Sequence, residues 1–401
     1  MPKTWDIFCS VVDNFGDIGV CWRLSRQLVA EHQIKVKLWV DDLQSFTYLC
    51  SEVDPKVYHQ QIQGVEIYHW HQPWSATSAT AADVVIEAFG CHLPNDYVES
   101  MLQRSPHSLW LNLEYLSAES WVENCHALPS PQLKGPAKYF FFPGFTQKTG
   151  GLIREQGLIE KRQKFQNSLT EKIQFLQQIG ITAINSAINS AIKDTQLISL
   201  FSYENLHISH WLDDLVNSQK NTHLVVPQGR IVDNLLTWIQ SIESSQFSLT
   251  DFLQGKNYCK GSLTIQLIPF LSQDDYDRLL WSCDFNVVRG EDSFVRAQWA
   301  GKPFLWHIYP QQDKIHLHKL EAFLELYCQN LTKPANNALR AISQAWNQDD
   351  NMKNKWSNML ELMPELTENA ENWCFQQAKQ INIAETLVQF YQNWLKYSPK
   401  I

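Results

Sequence analysis

The stretch from Arg289 to Pro303 constrains this chain more than any other. Ahead of it, Asp284-Phe285-Asn286-Val287-Val288 is an apolar run of strand type, and Phe304-Leu305-Trp306-His307-Ile308 after it is another. Between them lie a charged turn, Arg289-Gly290-Glu291-Asp292-Ser293, and a short helical segment stopped by Gly301 and Pro303. Strand, polar turn, helix, strand is the βαβ unit of a parallel sheet, whose ligands lie at the carboxyl ends of the strands. The N–H groups of the helix start suit an anion, and a carboxylate at the strand end suits ribose hydroxyls. The unit therefore reads as a sugar-nucleotide donor site, and the rest of the chain must supply an acceptor.

The same alternation runs through the chain. Trp5 to Val12 reads as a first strand, followed by the loop Asp13-Asn14-Phe15-Gly16-Asp17-Ile18-Gly19 and a helix carrying Leu24, Leu28 and Val29 on one face. Ile34 to Val40, Val65 to Trp70, Asp83 to Phe89, Ser108 to Leu113 and Lys138 to Phe142 are further strands. A breaker-rich segment, Pro143 to Gly151, then precedes a polar helical region from Glu155 to about Gly180. A second series begins at Gln196 to Phe201, continues through His223 to Val226 and Leu263 to Pro269, and reaches the opening stretch; a helix is expected from about Asp313 to Leu326. Thr367 to Lys396 is mostly helical. The spacing predicts an α/β protein of mostly parallel sheets in two lobes. The repeat Ala183-Ile184-Asn185-Ser186 to Ile192 reads as a local expansion without chemistry.

Composition narrows the function classes. With 401 residues two domains are expected, and a 44% hydrophobic content is enough for two cores. The formal charge of −9 argues against a general binder of nucleic-acid backbones. The nine cysteines are scattered with no C-x-x-C pair, which predicts reduced thiols and a cytoplasmic protein. The N-terminus has no signal-peptide pattern and no apolar run reaches membrane length, so no membrane partner is expected.

Several local patterns carry candidate chemistry. Asp13 and Asp17 lie four apart where the first loop becomes a helix; they either share one substrate group or serve as turn residue and helix cap. This is not the G-x-G-x-x-G dinucleotide fingerprint. Phe201-Ser202-Tyr203 and Ile268 to Gln273 follow strands, where aromatics either stack on a base or fill the core. Asp275-Tyr276-Asp277 matches D-x-D, but it falls in the helix opened by Ser272 and reads as solvated helix face. His69/His71 and His316/His318 have no third ligand beside them, so no metal is expected.

Taken together, Asp13 to Gly19 and Arg289-Gly290-Glu291-Asp292-Ser293-Phe294-Val295-Arg296-Ala297-Gln298 resemble one family, as do Phe140 to Thr146 and Trp306-His307-Ile308-Tyr309-Pro310-Gln311. The chain is similar to the bacterial protein-arginine rhamnosyltransferases that modify translation elongation factor P, over nearly its whole length. The resemblance implies a GT-B glycosyltransferase fold, two Rossmann-like domains facing a central cleft, with C-terminal helices. It places an acceptor-binding domain at 1–155, a donor domain at 156–375, and a C-terminal helix at 376–401 that crosses back to the first domain. It implies an inverting, metal-independent transfer of L-rhamnose from dTDP-β-L-rhamnose to one arginine of elongation factor P. No cofactor and no direct nucleic-acid partner are expected. By matching positions, Asp17 and Asp13 become the carboxylates near the acceptor guanidinium, and Glu291 the essential acidic residue at the donor. Asn14, Phe15, Gly16, Phe201, Tyr203, Phe270, Gln273, Arg289, Asp292, Ser293 and Tyr309 become donor-site residues.

The chemistry sets a constraint on these roles. A guanidinium has a pKa above about 12 and no free lone pair, and an Asp of ordinary pKa near about 4 cannot deprotonate it before reaction. The expected role for Asp17 is to accept the proton as the new bond forms, with Asp13 holding the other N–H groups. Glu291, being negative, is expected to hold donor hydroxyls rather than the diphosphate. The stretch Asn112 to Trp121 offers acidic and aromatic groups to a basic acceptor loop, or is an ordinary strand followed by a helix. Two rival readings are a GT-B transferase or epimerase with a small-molecule acceptor, and a non-enzymatic sugar-nucleotide sensor.

Overall fold

A computed structural model describes residues 3–12, 15–70, 80–181, 195–242 and 247–397. Asp13, Asn14, His71 and the 183–192 repeat lie outside the described residues. The chain forms two compact units, Met1–Gln156 with Gln377–Ile401, and Gly157–Gln376.

In the first unit the strands are β1 (Thr4–Cys9), β2 (Lys35–Val40), β3 (His59–Ile62), β4 (Val65–His69), β5 (Val84–Ala88), β6 (Leu109–Leu113), β7 (Pro129–Ser130) and β8 (Lys138–Phe141). They form one sheet in the order β3-β4-β2-β1-β5-β6-β8-β7. Six strands are parallel; β3 and β7 close the two edges in antiparallel pairing. These edge strands are absent from the sequence reading. The first is made by a two-residue hairpin in which Gln63 and Gly64 take φ of 50° and 82°, the backbone that matches the twist of the paired strands. Strand β1 lies at the centre, with Trp5, Ile7, Phe8 and Cys9 fully buried. Phe8 stacks on Trp39 at 5.5 Å and meets Tyr97 edge-on at 4.9 Å. Within this aromatic cluster the Asp6 carboxylate accepts hydrogen bonds from Tyr97 Oη at 2.6 Å and Trp39 Nε1 at 3.2 Å.

The last helix, Ile383–Tyr397, belongs to the first unit. Tyr391 meets Trp5 edge-on at 6.0 Å, Phe390 packs on Tyr139, and Ile383 N donates to the Leu152 carbonyl at 3.1 Å. Gly151 stands where this connection passes: it has a φ of 76°, and a β-carbon there would strike the Ile381 carbonyl.

The second unit has β9 (Thr195–Leu200), β10 (Asn221–Pro227), β11 (Tyr258–Lys260), β12 (Leu263–Ile268), β13 (Phe285–Arg289) and β14 (Phe304–His307), in the order β11-β12-β10-β9-β13-β14. All are parallel except the edge strand β11. The βαβ unit expected at the opening stretch is β13, the helix Asp292–Ala300, and β14, with Asn286 beside Phe304 in register. Gly301 ends the helix in the left-handed conformation, φ 61°. A side chain there would also collide with the Arg162–Glu371 ion pair, so glycine is required for two reasons.

Candidate functional site

Both sheets share one winding rule. In the second unit the chain proceeds β9, β10, β12 toward one edge, then returns past β9 to build β13 and β14 on the other side. The neighbours β9 and β13 therefore send their following loops in opposite directions, which opens a crevice at their carboxyl ends. The loop after β9 brings Phe201 and Tyr203 to that point, and the end of β13 brings Arg289, Gly290 and Glu291. Phe201 N donates to the Val287 carbonyl at 2.9 Å, which ties the start of the β9 loop to β13.

Arg289 is 5% exposed, and its guanidinium carbon lies 4.7 Å from the ring centroids of both Phe201 and Tyr203. A desolvated cation on aromatic faces is worth roughly 1–2 kcal/mol per good contact. The rings are braced in turn: Phe201 by Phe270 at 6.0 Å and Tyr276 at 5.7 Å, Tyr203 by His307 at 5.2 Å and Tyr309 at 5.7 Å. Tyr203 is fully enclosed, Phe270 half-buried, and Tyr309 exposed. The two aromatics of the β9 loop thus serve first as a collar around an arginine.

Beside them the helix Asp292–Ala300 begins with Glu291 at its cap position and Ser293 in its first turn, all three acidic and hydroxyl groups half-buried. Gln273, at the start of the helix Gln273–Ser282, donates to Asp292 Oδ2 at 3.2 Å. One turn further along both helices, Arg296 donates from Nε and Nη2 to the two oxygens of Asp277, at 2.9 and 2.5 Å. The residues are spaced four apart on each helix, so the two pairs are successive rungs of one ladder. Asp277, expected on a solvated face, is 4% exposed and fully engaged with Arg296. Asp275 lies in the first turn, where its N–H donates to Oγ of the capping Ser272 at 3.2 Å.

Behind the collar, His307 Nδ1 lies 2.8 Å from Ser202 Oγ, and Trp346 Nε1 donates to the same hydroxyl at 3.4 Å. Burial pushes the His307 imidazole down to about 3, with the neighbouring His316 and Arg289 acting in the same direction, so the ring is neutral at physiological pH.

The first unit repeats the winding. β1, β2 and β4 run to one side and β5, β6 and β8 to the other, so the switch lies between β1 and β5. Asp17 stands there in the first turn of the helix Gly16–His32 and is 2% exposed. Its Oδ2 accepts from Val12 N at 2.9 Å, and its Oδ1 from the Tyr115 hydroxyl at 3.4 Å. Tyr115 stacks on Phe89 at 4.6 Å, so the loops after β1, β5 and β6 converge on one carboxylate. The alternative of Asp17 as a helix cap does not hold: Phe15 occupies the cap position and no side chain caps it. Phe15 packs on Tyr48 at 5.4 Å, and Gly16 starts the helix.

The stretch Asn112 to Trp121 is the end of β6 followed by a loop, not by a long helix; the helix after it, Val122–Cys125, is a single turn. Glu114 is engaged by Asn112 Nδ2, and Glu119 by the Ser117 hydroxyl at 2.9 Å. His69 Nε2 faces the Asp41 carbonyl at 3.0 Å and His316 Nδ1 accepts from Gln311 N at 3.1 Å, so each has a backbone partner. Among the described residues no three His, Cys, Asp or Glu side chains are grouped as metal ligands, and no helix is long and apolar enough to cross a membrane.

The sequence reading of the site omitted Ser202, His307, Trp346, Asp277, Arg296 and Tyr115 as working residues. All of these but Trp346 stood inside stretches singled out in the sequence, but nothing local marks which partner each will meet.

Comparison with known proteins gives these halves a context. The family model for Elongation-Factor P (EF-P) rhamnosyltransferase EarP matches residues 5–392. A protein-arginine rhamnosyltransferase of Pseudomonas putida is 51% identical over 395 residues, covering 98% of this chain and 100% of that protein. One of Pseudomonas aeruginosa is 47% identical over 392 residues, with 98% and 100% covered. A solved structure from work on the structural basis for EarP-mediated arginine glycosylation of translation elongation factor EF-P is 40% identical, with a TM-score of 0.67, and the match covers 98% of this chain and 99% of that one. The two Rossmann-like units, each wound about its own switch point, make a GT-B glycosyltransferase fold.

Proposed function

Because the chain belongs to the elongation-factor-P rhamnosyltransferase (EarP) family, we propose that it moves L-rhamnose from dTDP-β-L-rhamnose to a guanidinium nitrogen of one arginine of elongation factor P. Transfer inverts the anomeric carbon, needs no metal, and takes place in the cytoplasm with its translation-factor acceptor. The observation that carries this reading is the crevice between β9 and β13, where a buried arginine in an aromatic collar adjoins the start of the helix Asp292–Ala300.

In this reading the second unit holds the donor. The helix N–H groups at Asp292 and Ser293, the Ser293 hydroxyl, Tyr309 and Arg289 meet the charge that grows on the departing diphosphate. Glu291, itself negative, orients the donor through its hydroxyls, and Phe270 with Gln273 faces the base. The first unit manages the nucleophile. The attacking nitrogen of a guanidinium becomes acidic only as its bond to the anomeric carbon forms, so the base must be in place and ionised before that moment. Asp17 fills that role, held by the Val12 amide and the Tyr115 hydroxyl, with Asp13 holding the other guanidinium N–H groups and Asn14, Phe15 and Gly16 contributing to donor binding.

Incubating the protein with dTDP-β-L-rhamnose, elongation factor P and a chelator, then weighing the factor, tests the whole proposal. One added deoxyhexose on one arginine, with an α linkage by NMR, is expected. An unmodified factor alongside rhamnosylation of a small acceptor would move the function to the rival transferase reading, and a stable donor complex without transfer would move it to a sensor.

A further inference from the structure

The Ser202–His307–Trp346 cluster favours one proton arrangement. An indole N–H only donates, so Ser202 Oγ accepts from Trp346 Nε1 at 3.4 Å. The serine proton is then directed to its other neighbour, His307 Nδ1, at 2.8 Å. A neutral imidazole that accepts at Nδ1 carries its hydrogen on Nε2. That nitrogen makes no hydrogen bond to any described residue, although His307 is only 4% exposed. Unlike the buried polar atoms that have no partner, this nitrogen keeps solvent-accessible surface, so it is open to an acceptor from outside the chain. The ring stands at the carboxyl end of β14, edge-on to Tyr203, which lies under the Arg289 guanidinium. An acceptor arriving beside that cation is best an anion.

We propose that Ser202 and Trp346 hold His307 with its hydrogen on Nε2, so that this nitrogen donates to a diphosphate oxygen of the nucleotide bound at this switch point. The inference rests on the nucleotide-sugar reading of this crevice and adds to it a phosphate-binding residue with a fixed tautomer. No proton is transferred: the contact is a hydrogen bond to a group that becomes more negative as the glycosidic bond breaks.

Two substitutions separate the two ring nitrogens. In His307→Asn the amide reaches the place of Nδ1 and keeps the Ser202 contact; in His307→Gln it reaches the place of Nε2 and keeps the outward donor. Calorimetric titration with dTDP and with thymidine reads the difference. His307→Asn is expected to bind dTDP about tenfold more weakly, the loss of roughly one good hydrogen bond, while thymidine binding stays the same. His307→Gln is expected to stay within about threefold of the wild type for both ligands. The reverse order would make His307 only a brace for Ser202, and equal losses for dTDP and thymidine would place the contact away from the phosphates; either result overturns the proposal. Should a variant fail to fold, ¹⁵N-histidine spectra of the wild type decide. His307 should hold its proton on Nε2 from about pH 6 to 8 and that proton should shift when dTDP binds; a proton on Nδ1, or no shift on binding, overturns it. If another nucleoside diphosphate binds in place of dTDP, the base assignment above fails and the His307 comparison is made on that ligand. If none binds, both readings fail.

Discussion

The two units are wound alike but differ in how part of their buried charge is met. In the second, acids and bases neutralise each other or sit on rings: Arg296 chelates Asp277, Arg162 chelates Glu371, and Arg289 lies in its aromatic collar. In the first, the enclosed Glu87 is paired with Lys138 Nζ at 3.0 Å, but two other enclosed carboxylates take hydrogen bonds from neutral donors. Asp6 takes bonds from Tyr97 and Trp39, and Asp17 from Val12 N and Tyr115. Under the function proposed above, the difference fits a division of labour in which the second unit takes an anionic diphosphate and the first places a carboxylate beside the acceptor guanidinium.

The contrast breaks most sharply at Asp17. Asp17→Asn preserves size and can still accept from Val12 N, but it cannot take a proton. Turnover is expected to fall by about a thousandfold or more, with dTDP affinity within twofold of wild type. Single-turnover transfer to elongation factor P together with dTDP titration checks this. Near-normal turnover would remove Asp17 from the base role, and a parallel loss of dTDP affinity would show that its effect is exerted on the donor instead.

In the second unit the test is the ladder. Asp277→Ala leaves the Arg296 guanidinium buried without its carboxylate and is expected to cost about 3–5 kcal/mol of unfolding free energy. The paired replacement Asp277→Leu with Arg296→Met should recover most of that in urea unfolding, because two enclosed apolar side chains need no compensation. If the single substitution cost under about 1 kcal/mol, the pair would be behaving as a surface ion pair.

How much of this was legible in the sequence depended on whether the determinant was local. The βαβ unit at β13 and β14 was, because a buried apolar run, a polar turn and the Gly301–Pro303 stop are all contiguous. So was the Asp13–Asp17 loop as a place of interest. The edge strands β3, β7 and β11 were not, since short segments such as His59–Ile62 acquire strand character only from the partner they pair with. Asp277 was misread for the same reason. An acidic residue between Tyr276 and Arg278 looks like solvated helix surface, and only the neighbouring helix, nineteen residues on, supplies the arginine that encloses it. The Ser202–His307–Trp346 cluster draws on residues up to 144 apart in sequence, with no spacing that could announce it.

The smallest of these effects returns to the first unit and to Asp6. Burial raises its carboxyl to about 6; hydrogen bonds from Tyr97 and Trp39 and the charge of Lys37 oppose that shift without cancelling it, and Glu66 adds to it. Because the folded value is above the unfolded one, the native state binds more protons between them, and stability must fall as pH rises through that window. Below about pH 4 the group is protonated in both states and imposes nothing; above about pH 6 the native state carries the full penalty, about 3 kcal/mol. Other groups titrate over the same range, so the quantity to measure is the difference between wild type and Asp6→Asn in urea unfolding at a series of pH values. The amide cannot ionise and keeps an oxygen for Tyr97, so the variant should gain on the wild type steadily from pH 4 to pH 7. A constant offset across that range would show that the neutral donors around Asp6 fully stabilise its charge. The first unit would then match the second in compensation, differing only in the groups that provide it.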